Sequence, residues 1–203
     1  MKKIECIKFE SCKDGSHSYI SPFTFLQTFL SSYYKMSASF VSDSFPSGSW
    51  TLYFHDPEDP SWSPDSYKKI GAFSTYSALW GAFAKIDVER FLSGMFFLMR
   101  DPHLPLWEHR DNIHGGSYCI KVPEAVAHET FQRYVAAATL DMVSKDPSNA
   151  VIGVSISPKK GFHILKLWNV SSKFHNNPSA VNLFGDTMKG SDVLYRPHVD
   201  QKF

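Results

Sequence analysis

Trp62 and Trp107 stand in polar, turn-rich sequence, and Glu108 follows the second tryptophan at once. Two flat indoles can grip a splayed-out base on both faces. A carboxylate beside them can accept the N1 and N2 protons of guanine. A base that carries positive charge, as 7-methylguanine does, adds cation–π attraction to each indole, for which tryptophan is the best partner. The competing reading is ordinary packing, because a chain that is 15% aromatic needs tryptophans in its core. Local context favours the slot. Trp62 follows Pro57 and Pro60 and precedes Pro64, among Asp56, Glu58, Asp59 and Asp65, and such a stretch cannot continue a buried strand. Trp107 follows Asp101, Pro102, His103 and Pro105 in similar surroundings. Loops held by a rigid scaffold are where binding residues concentrate.

Other chemistries find little support. His109-Arg110-Asp111-Asn112 has the look of a kinase catalytic loop, but Gly116 stands where that loop needs a second Asn, and no Gly-rich nucleotide loop accompanies it. There is no Gly-x-Ser-x-Gly elbow. Cys6, Cys12 and Cys119 are odd in number and lack zinc spacing, and the nine histidines form no ligand pair on a helix. The expectation is therefore a non-enzyme without metal or cofactor, in a reducing, cytoplasmic compartment. The opening Met1-Lys2-Lys3-Ile4-Glu5-Cys6 leads into no long apolar run, which argues against a signal peptide or a membrane span. A net charge of +1 provides no global basic field, so any contact with nucleic acid must be local.

The elements that must hold these loops point to one α+β domain. At 203 residues, 43% hydrophobic and 20% charged, the chain is long enough for one sizeable core. Residues 1–49 form an N-terminal extension rich in Ser, Lys and aromatics. Within it Ser21, Pro22 and the apolar spacing of Phe23, Leu26, Phe29, Leu30, Tyr33 and Tyr34 predict a short helix whose apolar face docks on the domain or on a partner. Residues 50–203 form the domain. Trp50–His55 reads as a strand, Ser74–Ile86 as an amphipathic helix, and Gly94–Arg100 and Gly116–Val122 as strands flanking the Trp107 loop. Pro123 opens a long helix from Glu124 to about Lys145. Asn149–Ser157 and Phe162–Trp168 form a hairpin around Pro158-Lys159-Lys160-Gly161, followed by a shorter helix near Ser179–Lys189 and a last strand near Val193–Tyr195.

The order of these pieces resembles the cap-binding translation initiation factor 4E family. The resemblance covers about residues 45–200 and is carried by Trp50-Thr51-Leu52-Tyr53-Phe54, Ser77-Ala78-Leu79-Trp80-Gly81-Ala82-Phe83, Pro105-Leu106-Trp107-Glu108, Gly115-Gly116 and the strand ending in Trp168. Ala180–Gly185 and Tyr195-Arg196-Pro197-His198 add to it. It implies a curved antiparallel sheet with helices on its convex face and the cap slot on its concave face. Trp62 and Trp107 would sandwich 7-methylguanine, Glu108 would read its edge, and Trp168 would touch the N7 methyl group. Trp80 would receive the helix of a 4G-like scaffold protein or of a 4E-binding repressor on the dorsal face, with Tyr76, Ala136 and Leu140 lining the groove.

Departures from the family bear on mechanism. Ser117 and Ser157 stand where the family has the two arginines of its triphosphate clamp, so phosphate contacts are expected to contribute less. Lys159, Lys160, Lys166 and Arg110 are the candidates to supply the charge. Ala136 and Ala137 replace the Leu and Glu that the family offers to its partner, so the groove is expected to take a different peptide. The expected function is to bind the 7-methylguanosine cap of mRNA and recruit a translation scaffold. The alternatives are a 4E-like adaptor or repressor with weak cap affinity, and an aromatic slot for another ligand such as a sugar.

Overall fold

A computed structural model describes residues 43–174, 177, 180–184 and 193–199. The helix expected over residues 21–34 lies outside them. The short helix expected near Ser179–Lys189 lies largely outside them too; of its described part, Val181 forms an isolated antiparallel bridge with Ser144.

The elements run β1 (Trp50–His55), β2 (Lys68–Phe73), α1 (Tyr76–Phe83), α2 (Val88–Ser93), β3 (Met95–Arg100), β4 (Gly116–Pro123), α3 (Glu124–Thr139), β5 (Val151–Lys159), β6 (Phe162–Asn169) and β7 (Val193–Pro197). The seven strands form one curved antiparallel sheet in the order β2-β1-β3-β5-β6-β4-β7. Alternation along each strand divides the sheet into two unlike faces. Trp50, Leu52 and Phe54 of β1, with Phe96, Leu98, Tyr118, Ile120, Val154, Ile156, Leu165 and Leu167, face the helices and form the main core with Phe83, Phe131 and Tyr134. Each such side chain contributes about 1.5–3 kcal/mol by leaving water. The opposite face carries a second, smaller cluster of Met95, Phe97, Met99, Ile152 and Trp168, with Tyr53, Tyr67, Trp107 and Val170 packed against it.

Three elements differ from their sequence readings. Lys68–Phe73 is the edge strand β2, whose first three residues are exposed, so it lacks the buried alternation that announces a strand. The helix expected over Ser74–Ile86 stops at Phe83, and a second helix begins because the Asp87 side chain accepts from the Glu89 and Arg90 amides at 2.8 and 3.3 Å. The long helix ends at Thr139, not near Lys145, because Asp141 takes a left-handed conformation (φ 56°) that breaks the helical path. Its carboxylate accepts from Arg100 at 3.0 Å, which holds the chain in that turn. The β5–β6 hairpin forms as expected, with Gly161 (φ 78°) making its tip.

Folded contacts begin before Trp50. The Tyr76 and Ser77 amides donate to Asp43, the Ser47 hydroxyl donates to the Thr139 carbonyl at 2.6 Å, and Phe45 is buried against Tyr76.

Candidate functional site

The Trp62 loop leaves the end of β1 and returns as β2. Short polar side chains order it: Asp56 accepts from the Glu58 amide, Asp59 from the Ser61 amide, and a single turn of 3-10 helix spans Pro64–Ser66. The prolines and acids that marked this segment as a loop therefore also fix its path. Trp62 is 51% exposed at its tip, and one indole face lies on the buried His55 ring, 4.3 Å between centroids and 8° from parallel. His55 Nε2 is 2.8 Å from the Ser61 carbonyl. His55 thus fastens both the backbone beside Trp62 and the indole itself, a role that only the paired geometry reveals.

The Trp107 loop joins β3 to β4. Asn112, fully buried, is its organiser: its Nδ2 donates to the Leu104 and Leu106 carbonyls at 2.7 and 2.8 Å, and its Oδ1 accepts from His103 Nδ1 at 3.0 Å. The loop is tied to the sheet by Thr51, whose hydroxyl donates to Asp101 at 2.8 Å, and by His198, whose Nδ1 donates to the Asn112 carbonyl at 2.7 Å. His198 Nε2 then accepts from the Ser117 hydroxyl at 3.1 Å. Burial pushes the His198 pKa below its ordinary value, which suits this neutral, doubly bonded imidazole. The loop enters β4 through Gly116, where a side chain would collide with the Tyr195 hydroxyl and the Arg196 carbonyl.

Trp168 lies on the face away from the helices, its Nε1 donating to the Ser155 hydroxyl at 2.9 Å and its ring set edge-on to Phe97 and His198. Trp107 packs half-buried against the same cluster. Tyr67 links this cluster to the Trp62 loop, with Trp62 at 6.4 Å and Phe97 at 5.3 Å between ring centroids. Burial drives the Tyr67 pKa up to about 12, and the charge of Glu108 adds to the shift. Glu108 also acts on His198. This exposed carboxylate is therefore felt on two sides of the tryptophan cluster. Trp62, Trp107, Glu108 and Trp168 thus belong to one face of the sheet, and Tyr67, His55 and His198 are the supports that sequence reasoning did not identify.

The expected phosphate residues do not gather. Lys159 and Lys160 end β5 and form the hairpin tip, and Phe162, next to that tip, is already six residues along β6 from Trp168. At ~3.3 Å per residue the tip lies roughly 20 Å away along the strand. Arg110 is almost fully exposed and sits 3.7 Å from Asp111. Lys166 is only two residues from Trp168 on β6 and shares its face.

The residues expected on the dorsal face lie in or beside the main core. Trp80 is 5% exposed, Tyr76 3% and Ala136 0%, all within the main core, and only Leu140 is half-buried. Tyr76 lies edge-on to Phe45 and Trp80 packs on Phe83. An open groove of about 760 Å³ lies elsewhere, between β2 and α1, bordered by Ile70, Phe73, Ala78, Ala82, Ile86 and Phe96. Because Phe54 and Phe96 at its floor face the helical side, it opens away from the tryptophan cluster.

Among the described residues no group of three or more His, Cys, Asp or Glu side chains converges as a metal site would require, and no helix is long and apolar enough to cross a membrane.

Comparison with known proteins agrees with this architecture. Residues 47–201 match the family model "Eukaryotic initiation factor 4E". The chain is 28% identical over 143 residues to the eukaryotic translation initiation factor NCBP of Triticum aestivum, covering 66% of this chain and 60% of that protein, and 25% identical to the Arabidopsis thaliana protein of the same name. The match thus spans about three fifths of the length of these curated relatives. Among solved structures, Caenorhabditis elegans eIF4E-3 in complex with the 4E-binding protein Mextli aligns over 79% of this chain and 96% of its own, with a TM-score of 0.65 at 15% identity. Ascaris suum eIF4E-3 bound to an m7G cap aligns over 67% of this chain and 78% of its own, with a TM-score of 0.57 at 16% identity. At these identities the structural likeness concerns the fold.

Proposed function

The chain belongs to the eukaryotic initiation factor 4E family, and from that premise we propose that it binds the 7-methylguanosine cap at the 5′ end of mRNA on the sheet face that carries Trp107 and Trp168. The observation that carries this reading is the second aromatic cluster itself. A sheet face on which none of the described helices packs holds a half-buried Trp107, a Trp168 fixed by Ser155, and a neighbouring loop with an exposed Trp62, and a carboxylate acts at its edge. Trp62 and Trp107 stack on the methylated base, and since His55 occupies one face of Trp62, the base takes the other. Glu108 accepts the guanine N1 and N2 protons, and Trp168 meets the N7 methyl group.

The positive charge of the methylated base is what the indoles select, through cation–π attraction that unmethylated guanine lacks. No bond is made or broken, so the protein is a binding factor of translation initiation rather than an enzyme, and it acts in the cytoplasm. Its second task is to recruit a helical scaffold or repressor partner on the helical side. Trp80, Tyr76 and Ala136 are buried there, and Leu140, half-buried at the end of α3, is the candidate contact within reach.

Retention on 7-methyl-GTP resin tests the cap reading. The protein should stay bound and elute with free 7-methyl-GTP, while the same concentration of GTP leaves it on the resin. Passage through the column, or equal elution by both nucleotides, overturns the reading. Release by an unrelated sugar would favour an aromatic slot for another ligand.

A further inference from the structure

We infer that Arg196 and Lys166 form the phosphate-binding site of this chain, a clamp displaced across the sheet from Ser117 toward the edge strand β7. The inference rests on the proposed cap reading and names the residues that hold the anionic part of that ligand.

Strand register places the residues. Ser117 on β4 lies directly opposite Trp168 of β6 on one side and Arg196 of β7 on the other. Directly paired residues point to the same face of a sheet, so Trp168, Ser117 and Arg196 form one row on the face away from the helices. The arginine absent at position 117 thus has a counterpart one strand over in the same row. One step along, Cys119 pairs with Lys166, so Lys166 and Trp168 share the same face of β6. With strands ~4.8 Å apart, Arg196 stands roughly 10 Å from Trp168 across the sheet, and Lys166 is about 7 Å from it along the strand. Both are long side chains that can converge above Ser117 and Cys119.

Electrostatics agree with the register. The half-buried Cys119 thiol feels both cations: Lys166 and Arg196 each favour its thiolate, against the burial that raises its pKa. His198, beneath Trp168, feels Lys166 on one side and Glu108 on the other. The site therefore has an acidic end for the guanine edge and a basic end for an anion, with Trp168 between them. Neither Lys166 nor Arg196 lies within an ion pair among the described residues, whereas Arg100, Arg110 and Arg133 each have a carboxylate partner. Two cations on the face away from the helices, neither in an ion pair among the described residues, are suited to neighbouring phosphate oxygens. An arginine can engage them through two parallel N–H groups and a lysine as a point charge.

Register also explains why these two residues serve where the hairpin lysines do not. A phosphate chain leaving a base held at Trp168 meets Lys166 and Arg196 within one or two residue spacings, whereas Lys159 and Lys160 lie at the far end of β6.

The test measures affinity for 7-methylguanosine, 7-methyl-GMP and 7-methyl-GTP at two salt concentrations, in the wild-type chain and in Arg196→Ala, Arg196→Lys, Lys166→Ala and Arg196→Ala/Lys166→Ala variants. The nucleoside lacks phosphate and reports the base slot alone. The inference expects each alanine variant to lose roughly tenfold in affinity for 7-methyl-GTP while nucleoside affinity is unchanged. The double variant should bind 7-methyl-GTP little better than the nucleoside and with a flatter salt dependence. Arg196→Lys should keep part of the advantage. If the double variant retains the full triphosphate advantage, or if Lys159→Ala/Lys160→Ala abolishes it instead, the clamp lies elsewhere and only this inference falls. If the wild-type chain binds none of the three ligands, the cap reading itself fails and the inference goes with it.

Discussion

Trp62 and Trp80 are both indoles set against another aromatic ring, yet they do opposite work. Trp62 rests on His55 at a loop tip and leaves half its surface to solvent, whereas Trp80 packs on Phe83 in helix α1 and is 5% exposed. The difference follows from their elements. A loop that carries prolines and short polar side chains can raise an indole above the sheet without burying backbone polar groups. An amphipathic helix must turn its indole toward the core to be stable at all. On the proposed reading, removing Trp62 should cost affinity, whereas removing Trp80 should cost stability.

The largest effect is expected at Trp80. Trp80→Ala should lower stability by about 3–5 kcal/mol, the usual cost of deleting a buried indole, seen as a large drop in melting temperature. A variant that melts like the wild type but no longer binds a helical partner peptide would break the comparison, since Trp80 would then be a surface contact.

Trp62→Ala and Trp107→Ala should each lose cap affinity by about 1–3 kcal/mol per stacking face, and Trp62→Ala should melt near the wild-type temperature. Trp107 is the more informative of the two, because its half-buried ring also packs on the second cluster, and part of its loss should appear as stability. Unchanged affinity in either variant would return that indole to packing.

At Glu108 the expected loss is similar in kind but confined to base selection. Glu108→Ala leaves the two guanine donors unpaired, at a cost of roughly 1–3 kcal/mol, and Glu108→Gln presents a donor where an acceptor is needed. Discrimination against 7-methyladenosine should collapse in both. Guanine preference surviving in both would assign edge reading to another group.

The smallest effect concerns pH. Burial lowers the folded-state pKa of both His198 and His128 from the ordinary 6.5. Between the lowered and the ordinary values the unfolded chain binds more protons than the folded one, so these groups take stability away as pH falls from above 6.5 through the folded-state pKa, and none is lost at higher pH. Melting temperature should therefore decline on acidification from pH 7.5 to 5.5. The decline should be shallower in His198→Asn, where no proton is gained. An identical pH profile in that variant would show that His198 does not titrate in this window.

The sequence made parts of this arrangement readable and hid others for physical reasons. β1, β3, β4 and the β5–β6 hairpin were legible because short runs of apolar and β-branched residues bounded by turn residues mark strands buried on both faces, and Gly161 marks the turn. β2 was not, because an exposed edge strand with Lys68 and Lys69 carries no such run. Helix α2 is six residues long and is announced only by its Asp87 cap. Within the site, Trp62, Trp107 and Glu108 stood out through residue type and loop context. His55, Tyr67 and Arg196 did not, because their roles arise from stacking or from cross-strand register, which depends on which strands pair. The distance of Lys159 and Lys160 from Trp168 was hidden for the same reason, since residues close in sequence in a hairpin are separated by the length of its strands.

Tryptophan fluorescence read during parallel titrations with 7-methyl-GTP and GTP tests the central claim most directly, because the proposed slot is built from the reporting groups. A ligand stacked on Trp62 and Trp107 should quench emission saturably with the methylated nucleotide and leave it nearly unchanged with GTP at the same concentrations. Trp62→Ala should remove most of the response. Equal quenching by both nucleotides, or no response to either, would contradict a slot that selects the methylated cap.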